Sequence, residues 1–459
     1  AAIKAGGESG AAVSTAAPQE SLLLGVLTGD AGFMMPPEGE GERLSEGDVA
    51  MIAAWIKEGA HAPADEEPLT EPKDYWSYQP IVRPQVSQDA ADSWSDTPVD
   101  RFIRQKHLEL KLQPVGDAPP AVLLRRVFLD LIGLPPTREE LHAFLADPSE
   151  DAYAAIVDEL LSRPQYGERW GRHWMDVWRY SDWYGRRASN EMRYSQRHIW
   201  KWRNWIIESL NEDKGYDQMV REMLAADEIA PADTNTLRAT GFLGRNWYKF
   251  DRNVWLFETV EQTSQAFLGL TLRCCRCHDH KYDPISQLDY YRFRAFFEPH
   301  DVRTDPLSAS SGIIKDQTLG EIPVDGLSRI YDKTIDAPTW LFERGNDRSP
   351  DKSQPISPSV PAALGVELPE IRPVQLPAEA WYPALQNGYV QSLTKVAEAN
   401  VATAESQLVK VQSDLISATK KLETGVALSE SSKTNEPENA ASDGQPFLHD
   451  HFESPRPET

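Results

Sequence analysis

Cysteine is almost missing from this sequence: there are three in 459 residues, and all lie between Cys274 and Cys277. A disulfide framework is therefore excluded, and a tight group of thiols in an otherwise cysteine-free chain is normally kept for chemistry. Long apolar runs are missing too. The best, Leu22 to Leu27, covers six residues, against the roughly 18 that a membrane-crossing helix needs. Cations are scarce: 47 Lys and Arg stand against 71 Asp and Glu, for a net charge of −24. A general nucleic-acid binder would be basic, so that class is set aside. Such acidity speaks of solubility and of cationic partners, not of fold. Apolar residues make up 40%, a little under the usual ~45–50% but enough for hydrophobic cores, so global disorder is excluded. An initiator Met is lacking, and Ala1-Ala2-Ile3-Lys4 reads as the interior of a domain. A leader lying upstream is compatible with that start.

Proline is plentiful, at 34 residues, above the ~5% average, so long irregular segments are expected. The length corresponds to roughly three domains. Residues 1–62 read as a small unit. In it Ser45-Glu46-Gly47-Asp48 resembles a capping box with Asp in the Glu place, Val49, Ile52, Ala53 and Ile56 recur at helical spacing, and Gly59 supplies the stop. Residues 63–74 are a Pro- and acid-rich linker. Residues 75–304 read as mostly helical, with expected helices at Ala121–Leu131, after a capping box at Thr137–Glu140, and at Asp151–Leu161, Pro164–Tyr180, Tyr194–Leu210, Tyr216–Leu224, Val254–Leu270 and Ser286–Phe297. Residues 305–390 turn loop- and strand-rich. Residues 391–425 predict a coiled-coil helix, because Ala397, Val401, Ala404, Leu408, Val411, Leu415, Ala418 and Leu422 repeat at alternating spacings of four and three. Residues 426–459 read as a disordered linker followed by the start of a further module at Phe447.

Three features carry chemistry. Cys274-Cys275-Arg276-Cys277-His278 fits C-x-x-C-H, the attachment signature of a c-type haem. Two thiols three residues apart can reach the two vinyl groups of one porphyrin, and the adjacent His can present its imidazole to the iron. Zinc held by Cys274, Cys277, His278 and His280 is an alternative, as are redox-active thiols paired through Cys275. Second, Arg163 to Arg203 holds ten Arg or Lys against four acids, with Trp170, Trp174 and Trp178 at i, i+4, i+8 on one helical face and His173 at its edge. This is either a core-packing stripe with Arg stems over apolar surface or a wall for a flat anionic cofactor. Third, Met35-Pro36-Pro37 presents a thioether on a rigid loop, which suits a haem axial ligand as well as it suits a buried core Met.

Further runs carry a resemblance. Gly6-Gly7-Glu8-Ser9-Gly10, Met35-Pro36-Pro37 and Trp55-Ile56-Lys57-Glu58-Gly59-Ala60 resemble the latter part of the planctomycete-type cytochrome c domain. Tyr75 to Pro80, Asp130 to Thr137, Tyr166-Gly167-Glu168-Arg169-Trp170 and Cys274 to Pro284 resemble the large cytochrome-like domain that follows it, whose function is poorly defined. The resemblance implies secreted, multidomain bacterial proteins with c-type haem. It places the first domain's own C-x-x-C-H upstream of Ala1, and Met35 would then ligate that haem. It also marks Cys275 as a departure, a third thiol where a small residue is usual, expected to mispair or to compete for ligation.

The expectation is therefore a mainly α protein: a truncated cytochrome c-like helical domain, a large helical domain, a loop- and strand-rich segment and a coiled-coil arm. Its expected role is extracytoplasmic (periplasmic or secreted) electron transfer to a redox partner protein. Haem c would be tethered by Cys274 and Cys277, with His278 as proximal ligand and His173 as distal ligand. A metal-dependent enzyme acting on extracellular polymers, using His173, Asp176, His278, Asp279, His280 and Asp283, is the alternative. A carbohydrate-associated structural module, meeting polysaccharide through a downstream module, is the third. No nucleic-acid partner and no membrane-crossing segment are expected.

Overall fold

The computed structural model describes residues 11–36, 41–62, 74–86, 97–182, 185–188, 191–193, 197–248, 251–316, 320–366 and 368–426. The protein is mainly α. Its principal helices are α1 (Leu22–Thr28), α2 (Glu46–Lys57), α3 (Pro98–Glu109), α4 (Pro120–Leu131), α5 (Arg138–Ala146), α6 (Glu150–Leu161), α7 (Pro164–Val177), α8 (Trp200–Asn211), α9 (Tyr216–Ile229), α10 (Arg252–Thr263), α11 (Gln287–Arg294) and α12 (Asn387–Val426). The strands, β1 (Gly185–Ala188), β2 (Glu191–Arg193), β3 (His300–Pro306), β4 (Ile313–Asp316), β5 (Gly320–Pro323), β6 (Gly326–Asp332), β7 (Thr339–Phe342) and β8 (Pro350–Ile356), pair only two by two and antiparallel.

Several helix starts follow from their caps. Ser45, Thr97, Thr137 and Ser286 each accept the N3 backbone N–H, and the N3 acid reaches back to the cap N–H. Two otherwise unpaired donors are thereby satisfied at each start. The expected boxes at Ser45 and Thr137 are among these. Gly59, at φ +104, follows the α2 cap in the left-handed region that favours glycine.

Several helices depart from the expected spans, among them α11, which ends at Arg294 and not at Phe297. Helix α7 stops at Val177, and Arg179 turns the chain at φ +58. Helix α9 runs on past Leu224 to Ile229 across a non-helical Ala225. The expected Val254–Leu270 helix ends at Thr263, followed by a π-turn at Ser264–Leu268 and a left-handed Gly269. The Tyr194 start expected for α8 and the module expected from Phe447 lie outside the described residues.

The packing forms separate cores. Val13, Leu24, Ile56 and Ala60 close the N-terminal unit. Leu124, Phe128, Ile132, Phe144 and Leu160 join α4, α5 and α6. The main core gathers Trp178, Trp202, Trp205, Phe242, Trp255, Leu256, Tyr290 and Tyr291. Each such aromatic buries ~150–250 Å², roughly 4–6 kcal/mol of transfer free energy before entropy is subtracted. That core also takes in Ile330 of β6 and Phe342 of β7, so the strand-rich segment and the helical domain share one interior. An ion cluster joins them as well. The buried Arg294 guanidinium bonds Glu298 at 2.9 Å and Asn253 at 2.6 Å, and lies over the rings of Phe257 and Phe342.

Helix α12 forms as the heptad pattern predicts, but its seam is open. Val401, Leu408, Val411, Leu415 and Leu422 are each more than half exposed. Near its start, Ser392 accepts the Ala309 N–H at 2.8 Å.

Candidate functional site

The C-x-x-C stretch lies on a 3-10 turn, Leu272–Arg276. Three residues per turn put positions i and i+3 on the same face, and this single turn therefore sorts its residues three ways. Leu272 and Cys275 point into the core and are fully buried. Arg273 and Arg276 line a cavity. Cys274 is exposed, and Cys277, half-buried, follows the turn as its C-cap.

Cys275 does not compete with its neighbours. Its Sγ donates to the Ile285 carbonyl at 3.6 Å. Burial first, then the neighbouring Cys274 and acids, push its thiol up to about 12. A thiol so placed is protonated and inert at neutral pH, which corrects the expectation that it would mispair.

His278 is exposed, and its Nδ1 lies 2.7 Å from the Asp279 carbonyl. A carbonyl only accepts, so Nδ1 carries the proton and Nε2 is left with a free lone pair, the tautomer of a metal-binding His. His280 has another task. Its Nδ1 accepts the Asp283 N–H at 2.8 Å, and its Nε2 faces Thr271 Oγ1 at 3.4 Å. Asp279 accepts the Gln287 N–H at 2.7 Å, and Tyr291 Oη donates to the Arg276 carbonyl at 3.1 Å. The Asp279–Asp283 run thus holds the loop in shape.

Among the described residues, no three of Cys274, Cys277, His278 and His280 bring ligand atoms within 4.8 Å of one another. The same holds for His173, Asp176, His278, Asp279, His280 and Asp283. Tetrahedral zinc needs four ligands at about 2.0–2.3 Å, so neither set is a preformed zinc site. Haem attachment makes no such demand, because its thiols bond to the porphyrin edge and only the imidazole reaches the metal.

The basic island disperses. Arg163 pairs with Glu140 and Glu159, Arg172 with Asp176, Lys201 with Asp325 and Arg203 with Asp182. The tryptophan stripe grades from half-exposed Trp170 to Trp178, fully buried and stacked on Trp174 at 5.0 Å. His173 is exposed, with its ring on Trp170 at 5.4 Å. Met35 is also exposed, on a loop whose Phe33 ring meets Arg344 at 5.4 Å. The next residue, Gly345 at φ +74, packs directly on the thiol turn: a Cβ there would sit 2.5 Å from Cys277 Sγ. The Met35 loop and the thiols therefore flank one small turn, whereas His173 packs on the Trp170 side of α7.

The cavity beside the turn measures about 850 Å³, within the ~300–1,000 Å³ range of small-molecule sites. Arg179, Arg245, Arg273 and Arg276 line it together with Glu258 and Glu261. Neither His173 nor His278 is among its lining residues. Arg245 is buried and donates to the Phe242 carbonyl, while its Nε and Nη2 have no hydrogen-bond partner. Burial pushes this guanidinium down to about 9. A buried cation with two unspent donors suits an anionic group. Of these four only Arg179 falls in the basic island of the sequence; Arg273 and Arg276 flank the thiols, and Arg245 stands alone.

No helix among the described residues is long and apolar enough to cross a membrane. No curated protein and no solved structure matches the chain. Residues 98–302 match the family model PSCyt2, described as a protein of unknown function (DUF1549).

Proposed function

We propose that the chain carries covalent c-type haem at Cys274 and Cys277, with His278 as proximal ligand, and works as an extracytoplasmic electron-transfer protein toward a redox partner protein. The observation that carries this reading is the C-x-x-C-H stretch on and just after one 3-10 turn, with its third thiol buried, the other two at least partly accessible, and an imidazole whose Nε2 is left free. Cys274 and Cys277 would hold the porphyrin edge, His278 the iron, and Arg273 a propionate. When bound, haem supplies one-electron chemistry with a potential set by its axial ligands. The chain's own part is to fix the imidazole tautomer through Asp279 and to keep Cys275 out of the reaction.

For the second axial position, Met35 is better supported than His173, because Phe33 on its loop reaches the turn that packs on Cys277. Expression of the chain with a haem-maturation system tests the reading. The expected result is a haem-stained band on a denaturing gel, lost in Cys274→Ala/Cys277→Ala. No haem-stained band from the matured wild-type chain would overturn it. In the haem-loaded protein Met35→His should lower the reduction potential, since Met ligation raises it, while His173→Ala leaves it unchanged. The opposite pattern would assign His173.

A further inference from the structure

Away from the thiol turn, three side chains from three elements meet. His300 opens β3 and Asp332 closes β6, and the two face each other as the terminal pair of that ladder. Asp227 comes from the end of α9, just past the irregular Ala225. Their ligand atoms lie within 4.8 Å of one another. Asp227 is only 3% exposed, and its neighbours in the group are mostly covered, with side-chain exposures of 11% for His300 and 20% for Asp332.

The group lacks what buried polar side chains ordinarily have. His300 Nδ1 and Asp332 Oδ1 are buried with no hydrogen-bond partner. His300 Nε2 stands 3.6 Å from Asp332 Oδ1, beyond hydrogen-bond reach. The cations around it are committed elsewhere. Arg329 turns to Asp305 and to the Ile330 and Pro231 carbonyls. Arg252 is held by Glu298 and by the Glu298 and His300 carbonyls. Lys333 pairs with Asp301 at 2.7 Å. Two covered carboxylates, with Glu228 next to one of them, thus face an imidazole; Arg329 acts on Asp227 through its charge, but among the described residues neither carboxylate has a Lys or Arg ion pair. Buried charges are retained when paired or bound to a metal.

We propose that Asp227, His300 and Asp332 form a binding site for a divalent first-row metal ion, with Zn2+ as the probe that tests it. One imidazole and two carboxylates suit Zn2+ or Mn2+ better than Ca2+, which takes six to eight oxygens. Around a tetrahedral zinc with bonds of about 2.0–2.1 Å the ligand atoms stand about 3.3 Å apart, close to the 3.6 Å separation of His300 Nε2 and Asp332 Oδ1. Three protein ligands leave a position for water, and the partial exposure of Asp332 gives an ion a way in. The ion would tie α9 to the β3–β6 ladder.

The test uses the full chain with Cys274→Ser and Cys277→Ser, so that the thiols cannot take the metal. After chelator treatment it is dialysed against Zn2+ and the bound metal counted, and thermal unfolding is followed with and without Zn2+. The expected result is one Zn2+ per chain and a raised Tm. Asp332→Asn and His300→Gln should each weaken binding at least about 100-fold, since even outer-shell partners of a metal contribute 10–100-fold. Asp332→Asn removes carboxylate crowding, so its Tm in chelator should hold or rise while the Zn2+-induced rise disappears. A merely structural Asp332 would instead lower the Tm in chelator and leave the Zn2+ response intact. No stoichiometric binding in the Cys274→Ser/Cys277→Ser chain, or undiminished binding in both variants, would overturn the proposal. Neither result touches the haem reading, which rests on other residues.

Discussion

Cys275 and Cys274 are adjacent in sequence and opposite in chemistry. One is sealed in the core with its thiol pushed up to about 12, the other faces solvent. In the native haem-free chain, iodoacetamide at pH 8 should label Cys274 and leave Cys275 untouched until denaturant is added, as peptide mapping would read. Equal labelling rates would mean that the turn is not sorted as described. The C-x-x-C-H spacing was legible because it is local, a matter of five consecutive residues. The fate of Cys275 was not legible, since which face of a turn meets the core depends on Ile285 and the aromatics around it. The residues flanking the motif were misread for the same reason: His280 offers the right atom type for a metal, and the backbone of Asp283 has already claimed it.

Among the elements, α12 makes the sharpest prediction. Its Ala-, Val- and Leu-lined seam touches no core among the described residues. Glu at Val401, Leu408 and Leu415 should therefore leave the melting of the globular body unchanged, since substitutions at such exposed positions usually stay within about 0.5 kcal/mol each. A drop of several degrees in differential scanning calorimetry would show that the seam is packed after all. The helices themselves were readable from apolar periodicity and capping residues, as at Thr137 and Ser45. The break at Ala225 and the π-turn after Thr263 were not, because both sit in stretches of good helix formers and arise from packing. That break carries Asp227 to the end of α9, so the least predictable point of a helix contributes to the proposed metal site.

At the largest scale, the helical domain and the strand-rich segment are stapled by the Arg294–Glu298–Arg252 cluster, which Thr339 of β7 joins. Burial pushes the Glu298 carboxyl up, but its two arginines outweigh this and hold it below 4.5. A carboxyl lowered on folding stabilises above its unfolded pKa and loses that contribution as pH falls through the folded value. Glu298→Gln should cost about 3–5 kcal/mol at pH 7, because the buried Arg294 and its neighbour Arg252 lose their one charged partner, and should flatten the loss of stability at acid pH. Urea titrations across pH measure both, and an unchanged acid limb would count against the staple. At this scale the sequence is hardest to read. The proposed metal ligands Asp227, His300 and Asp332 fall 73 and 32 positions apart, with no motif to link them, and only the β3–β6 register brings two of them face to face. The shared core that runs from α8 to β7 likewise crosses the composition change near residue 305.

Gly345 sets a schedule. Its backbone sits against Cys277 Sγ so closely that not even a methyl group would fit between them. If haem is joined to that sulfur as proposed, it would have to be attached before the segment around residue 345, some 70 residues further along the chain, docks on the turn. On that proposal, maturation would be a race between attachment and the docking of β7 and β8. A chain that folds first would keep Cys274 within reach and Cys277 half shut, and would accumulate as a singly linked product.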